Sequence, residues 1–202
     1  MALTSRKKRP LNRTIPYLRD TKLIIIATEG SCTEKQYFEI FKNLKLQIKI
    51  IATPKEDTKS APKYVLERLN SFKQTYQLNK EDELWLMIDV DRWTPESLSQ
   101  VCSECYQKGY LLAISNPCFE MWLYLHFLDL DTTVTNITCN DIENNLRSHL
   151  GSYNKSNLDI ESYKLHIPDA IKRARDLDSN PNERWPSLLG TRVYKIVEKF
   201  IN

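Results

Sequence analysis

A chain of 202 residues has room for one domain with a sizeable core, or for a core with a modest helical appendage. With 41% apolar and 27% charged residues it reads as an ordinary soluble globular protein. No apolar run approaches the roughly 20 residues of a membrane span, and the N-terminus lacks the apolar stretch of a signal peptide, so the expected compartment is the cytoplasm. A net charge of +3 is too small to establish a nucleic-acid partner. The five cysteines, an odd number without framework spacing, read as reduced thiols. Cys102 and Cys105 form a C-x-x-C, but it lies inside a helical pattern, with no second pair or nearby histidine to complete a zinc site.

In chain order, residues 1–21 form a Pro-containing leader in which Arg6, Lys7, Lys8, Arg9 and Arg13 cluster without apolar periodicity. It reads either as a phosphate-touching arm or as a solvated tail. Residues 22–28 (KLIIIAT) suit a fully buried strand. It stops at Glu29-Gly30, and a helix with Thr33 as N-cap presents Tyr37, Phe38, Ile40 and Phe41. Residues 46–53 alternate as a second strand, 54–60 form a loop, and 61–77 carry Val65, Leu66, Leu69 and Phe72 at helical spacing. Residues 83–90 (ELWLMIDV) make the third strand. Thr94-Pro95-Glu96 opens a helix that Lys108-Gly109 closes. Residues 110–115 make the fourth strand, ended by Asn116-Pro117, and 119–128 an aromatic-rich helix. Beyond Thr138 only helical patterns follow, over 140–150, 160–177 and 188–201.

The order β-α-β-α-β-α-β implies an α/β fold with a largely parallel four-stranded sheet flanked by helices. The expected organisation is a leader (1–21), an α/β core (22–130) and a helical C-terminal region packing on it (131–202). Functional groups of such a sheet gather at the carboxyl ends of its strands. Strand one delivers Glu29 there, strand three Asp89 and Asp91, and strand four Asn116 with Glu120 just beyond. Residues two apart on a strand point the same way, so Asp89 and Asp91 converge. Carboxylates this close raise one another's pKa unless a cation sits between them, and Mg²⁺ suits such oxygen donors. The open positions of the ion then take phosphate oxygens and a nucleophilic water. The alternative is structural, with Asp91 capping the next helix and Glu29 favouring a helix N-terminus.

Residues 24–38 (IIIATEGSCTEKQYF) resemble the EG-x-x-TE-x-x-YF opening of the RloB family. Residues 86–91 (LMIDVD) resemble its D-x-D strand, 115–127 (SNPCFEMWLYLHF) its SNP-x-FE-x-W-x-x-x-HF signature, and 191–197 (TRVYKIV) its closing helix. The resemblance implies a Toprim-like fold, a role in bacterial defence against phage by abortive infection, and a partner ATPase of the ABC/AAA type. Toprim proteins include topoisomerases, primases and OLD-type nucleases, whose strand-end Glu and D-x-D bind Mg²⁺. Carried over, that assigns metal binding (Mg²⁺ or Mn²⁺) to Glu29, Asp89 and Asp91, with Glu29 also a candidate acid or base. Glu120 is either a further ligand or a helix-terminus charge, and Glu34 a ligand or a first-turn charge. Asn116 is an accessory candidate. Lys155, matching a lysine of the family, is a phosphate-binding cation or a surface lysine. Phe119, Trp122 and Phe127 are expected in the core, and His126 in a structural role.

The resulting expectation is a metal-dependent endonuclease of DNA or RNA acting as an anti-phage effector. The competing one is a Toprim-like interaction module that docks on an ATPase and keeps a degenerate site. Nucleotidyl transfer fits less well, because the chain lacks a zinc-binding or template-binding extension. With four glycines, at 30, 109, 151 and 190, there is no G-x-x-x-x-G-K-[ST] loop, and there is no G-x-S-x-G turn.

Overall fold

The computed structural model describes residues 22–42, 47–54, 56, 59–134 and 136–201. The basic leader lies outside the described residues. Four parallel strands, β1 (Leu23–Thr28), β2 (Gln47–Ile51), β3 (Glu83–Asp89) and β4 (Leu111–Asn116), are joined by a short antiparallel β5 (Gly190–Thr191) in the order β2-β1-β3-β4-β5. The α/β class and the parallel sheet follow from the apolar runs. The fifth strand does not: residues 188–201 read as one helix, whereas only Tyr194–Ile201 (α8) is helical. Two residues of strand leave no periodicity to detect.

Period-two alternation sorts the sheet into two cores. Leu23, Ile25 and Ala27 of β1, with Leu84, Leu86 and Ile88 of β3, face α2 (Pro62–Thr75) and α3 (Pro95–Lys108). Ile24, Ile26, Trp85 and Met87 face the opposite way. Their partners are α1 (Thr33–Tyr37), the 3₁₀ turn Phe38–Phe41, α4 (Glu120–Tyr124), α5 (Cys139–Leu150), α7 (Ile167–Leu177) and α8. Phe119 and Trp122 are buried in this second core, and Phe127 packs against it. His126 is fully buried, and burial pushes its pKa down to about 3. Its Nδ1 lies 2.9 Å from the Trp122 carbonyl and its Nε2 3.1 Å from the Tyr37 hydroxyl. A neutral ring donating from Nδ1 and accepting at Nε2 satisfies both contacts.

The helix ends follow local chemistry. Thr94 Oγ1 accepts from Ser97 N, and Gly109 ends α3 at φ 71°, a left-handed conformation that costs glycine little. Thr138 and Asp141 form a reciprocal capping box on α5. The expected helix over 160–177 is two helices, α6 (Ile160–Lys164) and α7, because Pro168 is tolerated only in a first turn. Thr33 is not the N-cap of α1 but its first residue, and its hydroxyl donates to the Lys155 carbonyl at 3.2 Å. The C-x-x-C thiols of Cys102 and Cys105 are buried on α3, where burial pushes them up to about 11 and about 12 and keeps them protonated.

One buried arginine pins the C-terminal edge. Arg192 donates from Nε and Nη2 to Asp178 (2.9–3.1 Å) and from Nη2 to the Asn180 carbonyl (2.8 Å), and from Nη1 to the Glu183 carbonyl. Tyr194 donates to the same Asp178 at 2.9 Å. Burial alone would raise the Asp178 pKa, but these partners hold it below the usual carboxylate range.

Candidate acidic site

The chain crosses from β2 on one side of β1 to β3 on the other, so β1 and β3 flank the point where the winding reverses. The crevice beyond the carboxyl ends of such a pair is where open α/β sheets place ligands. A cavity of about 320 Å³ opens there, and its lining includes Glu29, Glu34, Asp89, Asp91, Glu120 and Glu143, with Arg92 and Lys155.

Glu29 follows β1 and is buried; its backbone N donates to Met87 O of β3 at 3.2 Å. Its carboxylate accepts from Asp89 N (3.3 Å) and from Trp93 Nε1 (3.2 and 3.1 Å). Burial raises its pKa, and these two donors pull the other way. Asp89 is the last residue of β3, and its carboxylate has no hydrogen-bond partner among the described residues. Its pKa is raised well above the ordinary value, first by burial and then by the charges of Glu29, Glu34, Glu120 and Asp91. β3 ends at Asp89, so strand alternation does not place Asp91. A turn does so instead: Val90 N and Asp91 N both donate to the Pro117 carbonyl at 3.1 Å. Asp91 faces Arg92 Nε at 3.7 Å, and burial still raises its pKa.

Glu34, in the first turn of α1, reaches back so that its Oε1 accepts from Gly30 N at 2.8 Å. Burial pushes its pKa up to about 7, with the charges of Glu120 and Glu29 adding to the effect. A Cβ at position 30 would meet the end of the Glu34 side chain, so any larger residue there requires that carboxylate to shift. Glu120 opens α4, is buried, and accepts from Tyr153 Oη at 3.4 Å. Lys155 Nζ sits 2.9 Å from Glu120 and 2.6 Å from Glu143. Burial works against that ammonium, but the two carboxylates outweigh it and raise the Lys155 pKa. Gln36 of α1 holds this loop by donating to the Lys155 carbonyl (3.0 Å) and accepting from Leu158 N (2.8 Å).

Of the residues singled out in the sequence, six line this cavity: Glu29, Glu34, Asp89, Asp91, Glu120 and Lys155. Asn116 does not. Its amide turns to the Pro186 and Ser187 carbonyls, and it borders a separate apolar cavity with Leu130, Val134 and Leu188. Glu143 and Trp93 were not foreseen. Glu143 is one acidic residue on an amphipathic helix, and an indole that orients a carboxylate has no sequence spacing to announce it. Among the described residues no group of three or more His, Cys, Asp or Glu side chains is assembled to hold a metal ion directly. Internal donors engage four of the six carboxylates: Trp93 pairs with Glu29, Gly30 N with Glu34, and Lys155 with Glu120 and Glu143.

The cysteines correct the expectation of five free thiols. Cys118, just after Pro117, and Cys139, the first residue of α5, are joined by a disulfide with Cα atoms 6.0 Å apart, and both line the cavity. Cys139 Sγ lies 3.3 Å from Asp91 Oδ2. The 21-residue separation of the pair hides a contact that arises only when α5 folds over the end of β4.

Among the described residues no helix is long and apolar enough to cross a membrane. No curated protein and no solved structure matches the chain. The family described as RloB-like protein matches residues 24–200, from the first buried strand to the closing helix, and the chain belongs to that family.

Proposed function

We propose that the acidic cavity holds Mg²⁺ or Mn²⁺ and that the protein is a metal-dependent nuclease cleaving phosphodiester bonds in DNA or RNA. The observation that carries this reading is Asp89, a carboxylate with no hydrogen-bond partner among the described residues, pressed by four neighbouring negative charges. Among the described residues, six carboxylates against two cations line the cavity, an imbalance that a divalent ion relieves. The donors are all hard oxygens, which suits Mg²⁺ and Mn²⁺ and not softer ions.

In this reading Asp89 and Asp91 would hold the cation with Glu29, whose carboxylate is steadied by the Trp93 indole. A divalent ion held there would supply polarisation of a phosphoryl oxygen and a water of lowered pKa. Lys155, anchored through its backbone to α1, keeps Glu120 and Glu143 neutralised and presents a positive charge to the phosphate. Glu34, with a pKa near 7, is suited to exchange a proton at neutral pH. A role as an anti-phage effector working with an ABC/AAA-type ATPase rests on the family alone.

The second reading is a docking module with a degenerate site, favoured by the lack of three groups assembled to hold a metal among the described residues. Two measurements separate the readings. The first is cleavage of single- and double-stranded DNA and RNA with Mg²⁺ or Mn²⁺ by the wild type and Asp89→Ala. The nuclease reading expects cleavage by the wild type and a loss of at least a hundredfold in the variant; equal cleavage by both overturns it. The second is calorimetric titration with Mn²⁺, where a folded wild type that binds none favours the docking module.

A further inference from the structure

Cys118 and Cys139 both face the acidic cavity, and each sits beside a segment that positions a carboxylate. Cys118 lies between Pro117, whose carbonyl accepts from Asp91 N, and Glu120. Cys139 begins α5 one turn before Glu143, and its sulfur lies 3.3 Å from Asp91 Oδ2. At that distance a thiol donates an S–H···O hydrogen bond, whereas a disulfide sulfur has no proton to give. The bond therefore changes what Asp91 is bound to as well as what the chain is tied to.

We propose that the Cys118–Cys139 disulfide is a reversible switch that arms the acidic site. This rests on the cation-binding reading above. In the reduced protein the Cys139 thiol donates to Asp91 and competes with a cation for that oxygen. Oxidation removes the proton, leaves Asp91 open to the ion, and fixes α5 with Glu143 against the turn that carries Glu120. With hydrogen peroxide as oxidant, the two thiols give up two electrons and two protons, the S–S bond forms, and one peroxide becomes two waters. The reverse step is thiol–disulfide exchange: a small dithiol attacks one sulfur, its second thiol resolves the mixed disulfide, and both cysteines leave as thiols. Cys139 is partly exposed, which gives a small oxidant or thiolate a path to the pair. Cys32 lines the same cavity but is free, its Sγ accepting from Gln36 Nε2 at 3.0 Å, so it serves as an internal control.

The test uses the full chain, treated with hydrogen peroxide or with dithiothreitol. Thiols are mapped by maleimide labelling and peptide mass spectrometry, and Mn²⁺ is titrated by calorimetry. Peroxide is expected to protect Cys118 and Cys139 together and to leave Cys32 labelled. The oxidised protein is expected to bind Mn²⁺ at least tenfold more tightly than the reduced one. Cys139→Ala, which lacks the donor, should bind more tightly than the reduced wild type in both treatments. Cys139→Ser keeps a hydroxyl donor and should match the reduced affinity in both. Failure of the pair to cross-link, equal affinity of the two redox forms, or equal weakness of the alanine and serine variants would each overturn the switch. Binding that is independent of redox state but lost in Asp89→Ala defeats the switch alone. No binding in any form defeats the cation reading together with it.

Discussion

Replacing Glu34 by Gln removes a charge that the fold holds at a cost, and the size of that cost follows from its surroundings. Glu34 is 5% exposed, and its pKa is pushed from 4.5 to about 7. Below about pH 4.5 it is protonated in both the folded and the unfolded chain. Between about 4.5 and 7 the unfolded chain gives up the proton while the folded one keeps it, so stability falls as pH rises through this window. At about 1.4 kcal/mol per pH unit, the full loss above pH 7 is about 3 kcal/mol. Gln keeps an oxygen to accept from Gly30 N and carries no charge. For a chain of this size each kcal/mol moves the melting temperature by roughly 2–4 °C. Glu34→Gln should therefore melt roughly 6–12 °C above the wild type at pH 8 in the presence of a chelator, with the gap shrinking towards zero near pH 4.5. Removing the Glu34 charge also relieves Asp89, whose pKa it helps to raise, and that relief contributes to the gap. Thermal unfolding followed by circular dichroism at the two pH values measures it. A gap of equal size at both pH values, or a wild type more stable at pH 8, would refute the electrostatic reasoning.

Gly30→Ala should destabilise the chain by about 1–3 kcal/mol in urea denaturation at about pH 4.5, where Glu34 is uncharged and its burial carries no charge penalty, since the new Cβ must displace the Glu34 carboxyl from Gly30 N. In a Glu34→Ala background the same change should cost much less, a coupling that a double-mutant cycle reads directly. Arg192→Met should lose roughly 3–5 kcal/mol in the same assay, because it leaves Asp178 buried without its bidentate partner. Arg192→Lys should recover only part of this, as an ammonium cannot reproduce the planar fork.

The sheet was legible because buried parallel strands must be apolar on both faces, and 22–28 and 83–90 have no other reading. The strand-end logic brought Glu29 and Asp89 to the same crevice for the same reason. What was not legible depends on backbone geometry beyond the strands. Asp91 owes its place to hydrogen bonds with the Pro117 carbonyl and not to strand alternation. Asn116 stands at a strand end as well, but the short β5 draws its amide away to the chain at Pro186 and Ser187. Trp93, Glu143 and the Cys118–Cys139 pair reach the cavity only through loop and helix placement, which residue spacing does not encode.

The internal donors bear on the choice between a catalytic and a docking role. Trp93, Gly30 N and Lys155 each compensate a carboxylate, and a site kept only for its shape could end there, with every charge paired. Asp89 does not fit such a design. It projects from the centre of the sheet into four like charges without a hydrogen bond from any described residue, an arrangement that opposes folding at neutral pH. An asparagine would fill the same volume without that cost. Local violations of this kind are expected where function, and not stability, sets the residue. The strain is also of the sign that a bound cation relieves, which is why Asp89 carries the nuclease proposal and why its alanine variant is the decisive one.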